Sequence, residues 1–87
     1  MQMFTDWEPA VKRINEDYYP MNVRRVFGIR QHQYVNWYPE TKKYLATSYR
    51  GVISPRTYER ARDDAMRVAH KRNMEKYDRV KTETIYL

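Results

Sequence analysis

The 87-residue chain contains no cysteine. That removes disulfides, thiolate metal sites and thiol nucleophiles together. It has only two glycines, Gly28 and Gly51, too few for a phosphate-cradling glycine-rich loop. Its two histidines, His32 and His70, lie far apart and do not match the usual zinc spacings. No apolar run approaches the roughly 20 residues of a membrane span, and mean hydropathy is -1.03. The first residues, MQMFTDWEPAV, are acidic and lack the apolar core of a secretory leader, so no such leader is expected. Asp63 and Asp64 are adjacent on a helical segment, about 100° apart, and do not converge as an acid/base pair. These absences point to a non-enzyme with no cofactor and no metal.

What the chain does have is arginine, lysine and tyrosine. Lysine and arginine number 17 against 11 acidic residues, a net charge of +6, and nine tyrosines sit beside two tryptophans and two phenylalanines. In so short a chain those rings supply much of the area available for one thin core. The charge is uneven. Residues 1–20 carry two basic and four acidic side chains, residues 21–50 six and one, residues 51–72 six and three, and residues 73–87 three of each. A basic excess concentrated in mid-chain is the footprint of a polyanion binder.

The clearest element is SPRTYERARDDAMRVAHKR, residues 54–72. Ser54 suits the N-cap and Pro55 the first helical position. Tyr58, Ala61, Ala65, Val68 and Ala69 recur with helical period on one face, and the alanines allow close approach to a sheet. Upstream, Trp7, Ala10, Val11, Ile14 and Tyr18 share a 3.6-residue period, which predicts a first helix over residues 6–18 that is capped by Asp6 and ended by Tyr19-Pro20. Its apolar face packs on the domain's own core or docks on a neighbour with Trp7 as anchor.

Residues 22–33, NVRRVFGIRQHQ, alternate as a strand in which Gly28 marks a bulge or close backbone approach. QYVNWYPET reads as a loop whose Tyr34, Trp37 and Tyr38 either cover a core edge or stack bases. Residues 42–50 form a second strand, Val52-Ile53 a stub of a third, and VKTETIYL alternates like a sheet-edge strand. The expected fold is α+β: a small antiparallel sheet of two to three strands, a packed C-terminal helix and an additional N-terminal helix. The expected organisation is an amphipathic helix over 1–20, a basic sheet-plus-helix domain over 21–72, and a charged extension over 73–87.

Gly28-Ile29-Arg30, Lys42-Lys43-Tyr44-Leu45-Ala46, Tyr58-Glu59-Arg60-Ala61 and Ala65 together make residues 27–71 resemble the Apetala/ethylene-response-factor DNA-binding domain, in its compact protist form. Tyr44 stands where that family usually has tryptophan, and Val52-Ile53 barely represents its third strand. The resemblance implies a basic sheet backed by a helix. It also implies two functional outlets, groove reading of DNA or a structural place in an organellar ribosome.

Arg24, Arg30, Lys42 and Arg50, on one sheet face, and Arg56, Arg60, Arg67 and Lys71, on a solvent-facing helix flank, are the expected phosphate contacts. Trp7, Ile14, Tyr86 and Leu87 are the expected partner-docking positions. The reading that unites these features is a structural subunit of a large ribonucleoprotein. It contacts RNA in preference to DNA, has neighbouring protein subunits and no small-molecule substrate, and sits in the mitochondrion. The alternatives are an accessory subunit of a respiratory or other protein complex, at a membrane assembly, and a sequence-specific DNA-binding regulator in the nucleus.

Overall fold

The computed structural model describes residues 4–85, with side chains described as far as residue 76. Four strands, β1 (Glu8–Ile14), β2 (Asp17–Val26), β3 (Ile29–Tyr38) and β4 (Lys43–Thr47), precede one helix, α1 (Tyr58–Ile85). They form an antiparallel sheet in the order β1-β2-β3-β4. The fold is α+β, a four-stranded antiparallel sheet with a packed C-terminal helix.

The predicted N-terminal helix is not there: Glu8–Ile14 is a strand. Pairing with β2 decides against the helical period, and two residues suit the strand. Pro9 lacks an N–H, which an edge strand tolerates. Asn15 takes a positive φ of 59° in the two-residue turn that pairs Ile14 with Asp17. β2 runs across residue 20, so β1 belongs to the same sheet as β3 and β4. Likewise the single strand expected over 22–33 is two strands. Val26 pairs with Ile29, and Phe27-Gly28 forms the turn between them, with φ values of 52° and 80°. The expected aromatic loop is the second half of β3, so Tyr34, Trp37 and Tyr38 are strand residues.

Register assigns the faces, because directly paired residues point the same way. Pro9 and Asn22 pair, as do Asn22 and Gln33, then Val11 and Pro20, and Val35 and Ala46; these line the helix side. Ala61, Ala65, Val68 and Ala69 of α1 are buried against them, as the alanine stripe predicts. The small side chains let Asn22, fully buried, donate from Nδ2 to the Ala65 carbonyl at 3.0 Å. On the far side, Tyr19, Met21 and Ile53 make a second, smaller buried group.

Pro20 explains the connection into the helix. It cannot donate to a ladder, and the β2–β3 pairing ends at Met21 and Tyr34. Beyond that point Tyr18 pairs with Arg56 instead, with N–H to carbonyl distances of 3.1 and 2.9 Å. Residues around Arg56 are therefore extended, and the helix does not begin at Ser54-Pro55. Thr57 serves as the cap: its carbonyl accepts from Ala61 N–H at 3.0 Å and its Oγ1 from Arg60 N–H at 3.4 Å. Val52 lies in a one-turn 3-10 helix, Arg50–Val52, rather than a third-strand stub. At the other end α1 continues through Ile85, so residues 80–85 are helical and not a strand. No glycine or proline interrupts residues 70–85, so the helix runs past the end of its apolar stripe. Tyr86 and Leu87 lie outside the described residues.

Candidate nucleic-acid interface

Each basic side chain takes its role from the element that presents it. On α1, Arg60, Arg67 and Lys71 are spaced to share one flank, the flank that borders the end of β3. There they meet Trp37, which strand alternation aims to the helix side two residues after Val35. Trp37, Pro39, Arg56, Arg60, Asp63, Asp64 and Arg67 line a cleft of about 410 Å³.

Both carboxylates of this cleft already have partners. Arg56 Nε lies 3.0 Å from Asp64 Oδ2, with both side chains mostly buried, and an Arg56 Nη2 donates to Asn36 Oδ1. Asp63 faces Arg62 at 3.6 Å. Arg60 and Arg67 make no ion pair among the described residues. They stand as two guanidiniums without an ion pair among the described residues, in a cleft that also holds Asp63 and Asp64, beside a half-buried indole. Lys71 lies 3.8 Å from Glu75, which also accepts from the Tyr44 hydroxyl at 3.1 Å.

The sheet arginines divide differently from the expectation. Arg24 pairs with Gln31 and Arg25 with Arg30, so Arg24 and Arg30 lie on opposite faces. The reason is the two-residue turn at Phe27-Gly28, which makes paired positions differ in parity. Arg24 is on the helix side, 4.2 Å from the Trp7 ring and 5.1 Å from Phe4, donating from Nε to Gln31 at 2.8 Å. Arg30 is exposed on the open face. Lys42 sits exposed in the β3–β4 turn with φ of 54°. Arg50 lies over the Tyr19 ring at 5.3 Å and donates to its hydroxyl at 3.2 Å. Thus the structure gathers Arg56, Arg60 and Arg67 in one cleft, with Lys71 further along the same flank. It does not gather Arg24, Arg30, Lys42 and Arg50.

Trp7 is buried in its own domain, not presented to a neighbour. The Arg72 guanidinium lies 3.4 Å from its ring and also donates to Gln33 Oε1 at 2.7 Å. Burial lowers the pKa of Arg72, and more simply that of Arg24, below the ordinary arginine value. Asn73 completes this seam, accepting from Trp7 N–H at 2.8 Å and donating to its carbonyl at 3.0 Å. Ile14 is half-buried at the end of edge strand β1.

Sequence reasoning missed Arg25, Asn22 and Arg72 as placed side chains. Only strand register distinguishes Arg25 from Arg24, and nothing in composition reveals it. His32 and His70 are both exposed, and no three of the described His, Asp or Glu residues gather as a metal site. Among the described residues no helix is long and apolar enough to cross a membrane. No protein-family model, no curated protein and no solved structure matches the chain.

Proposed function

We propose that this is a non-catalytic nucleic-acid-associated protein, a structural component of a ribonucleoprotein, that holds phosphates along the α1 flank. The observation that carries the reading is the cleft in which Arg60 and Arg67 make no ion pair among the described residues beside Trp37, while the cleft's Asp63 and Asp64 pair with Arg62 and Arg56. Exposed guanidiniums outside ion pairs gain most where condensed counterions leave a polyanion. The half-buried indole that shares their cleft is a ring on which a base can stack.

The resemblance of residues 27–71 to the Apetala/ethylene-response-factor domain supports the same class of partner. Of its motif residues, Ile29-Arg30 fall on β3, Lys43-Tyr44-Leu45-Ala46 on β4, and Tyr58–Ala61 and Ala65 on α1, while Gly28 and Lys42 sit in the turns before the two strands. No strand follows β4 before the helix, and the strands that widen the sheet, β2 and β1, precede the first motif instead, so the strand order departs from that pattern.

The experiment is an affinity series in rising salt with mixed-sequence RNA and duplex DNA. Arg60→Gln and Arg67→Gln are each expected to lower the salt slope by about one unit, whatever the sequence. Binding to neither polymer at low salt overturns the reading and leaves an accessory role in a protein complex.

A further inference from the structure

The tip of the β2–β3 hairpin combines two local costs. Turns with two positive φ values favour Asn-Gly. Here Phe27 occupies the first position at φ 52°, with its side chain 68% exposed, and Ile29 just beyond the turn is 73% exposed. Gly28, at φ 80°, has open space around it. One rung back, Arg25 lies directly opposite Arg30 on the open face. Like charges so placed repel, and neither makes an ion pair among the described residues. Glu8, beside Val23 on the same face, lies near them without pairing.

The arm is braced. Thr5 clamps the end of β2, donating to the Arg25 carbonyl at 3.1 Å and accepting from Arg25 N–H at 2.8 Å. Phe4 bridges to Val26 and tilts against Phe27 at 5.9 Å. The result is a hairpin braced along β2 by residues 4 and 5, with an aromatic apex and two arginines that make no ion pair among the described residues.

We propose that this hairpin enters a groove of duplex nucleic acid, with Phe27 wedged against a base step and Arg25 and Arg30 on flanking phosphates. The proposal rests on the nucleic-acid reading above and adds a duplex site to it. The Phe27-Gly28 apex projects just beyond the Phe4–Val26 bridge, and a groove of roughly 12 Å admits a β-hairpin tip. Apolar side chains such as phenylalanine inserted at base steps unstack and kink the duplex. A bilayer is the poorer fit, because interfacial anchoring scales with buried apolar area and the tip offers only Phe27 and Ile29. The apex also lies far from the α1 cleft. Ile29 and Trp37 are eight residues apart on β3, roughly 26 Å at about 3.3 Å per residue, so the two sites address separate stretches of polymer.

The test uses a duplex carrying 2-aminopurine at a central step, with phosphatidylserine-containing vesicles in parallel. Saturating wild-type protein is expected to raise the fluorescence several-fold. Phe27→Asn suits the turn, so its melting midpoint should match or exceed the wild type. It should nonetheless abolish the rise and weaken duplex affinity about tenfold with an unchanged salt slope. Arg25→Gln and Arg30→Gln should each lower the slope by about one unit and keep the rise at saturation. A rise retained by Phe27→Asn, or saturation by the wild type without a rise, overturns the wedge and leaves the α1 reading standing. Loss of vesicle binding in Phe27→Asn with duplex affinity unmoved overturns it in favour of a membrane arm. Binding to no nucleic acid overturns both proposals.

Discussion

The seam between α1 and the sheet and the surface beside it use the same residue type in opposite ways. In the seam, Arg24 and Arg72 lie over the Trp7 ring, and Arg56 is tied to Asp64 and Asn36. A few ångströms outward, Arg60 and Arg67 have no ion partner among the described residues, and at the hairpin Arg25 and Arg30 face one another. A net charge counts both groups alike. On the proposed function, the first group is expected to contribute to stability and the second to meet a polyanion. A side chain held in a stack or ion pair has already exchanged its hydration for protein contacts, so it gains little from phosphate. One still solvated gains by releasing counterions.

The largest effect that sharpens this division should come from Trp7→Ala. Removing the buried ring strips Arg24 and Arg72 of their common platform and should cost about 3–5 kcal/mol, a large share of the stability of so small a domain. Thermal or denaturant unfolding measures it. A cost under about 1 kcal/mol would put the two arginines in the free group.

Arg56→Gln comes next. It breaks the mostly buried pair with Asp64 and should cost roughly 1.5–3 kcal/mol. Combined with Asp64→Asn in a double-mutant cycle, a coupling energy near zero would show that Arg56 belongs with Arg60 and Arg67.

The smallest stability effect is expected for Arg67→Gln. The exposed side chain should change the folding free energy by no more than about 0.5 kcal/mol. A larger loss would show that this arginine, too, supports the fold.

How much of this was legible in the sequence depends on which residues carried the signal. Ala61, Ala65, Val68 and Ala69 announced the packed face of α1, because an alanine stripe at helical spacing has few other uses. The strand β4 was readable from its alternation. The N-terminal segment misled because Trp7, Ala10, Val11 and Ile14 fit a helical period while β1 uses the alternate set Pro9, Val11 and Arg13 on its helix side. With so few apolar residues, two periods fit equally, and tertiary pairing with β2 decides. The turn at Phe27-Gly28 was hidden because phenylalanine is a poor marker of positive φ. Missing that turn merged β2 with β3, and it put Arg24 and Arg30 on one face. Thr57 rather than Ser54 caps the helix because Arg56 pairs with Tyr18, a contact between residues 38 positions apart that no local pattern encodes. On α1 itself helical spacing is fixed by the backbone, so the flank of Arg60, Arg67 and Lys71 could be read directly.

The division between held and free arginines is tested most directly by one comparison: the salt dependence of RNA affinity for the wild type and for the double variant Arg60→Gln/Arg67→Gln, with melting midpoints measured on the same samples. The expected result is a salt slope lower by about two units, a weaker affinity at low salt for every RNA sequence tried, and an unmoved midpoint. An unchanged slope with an unmoved midpoint would contradict the account, since it would mean that the guanidiniums of the α1 flank do not meet the polymer.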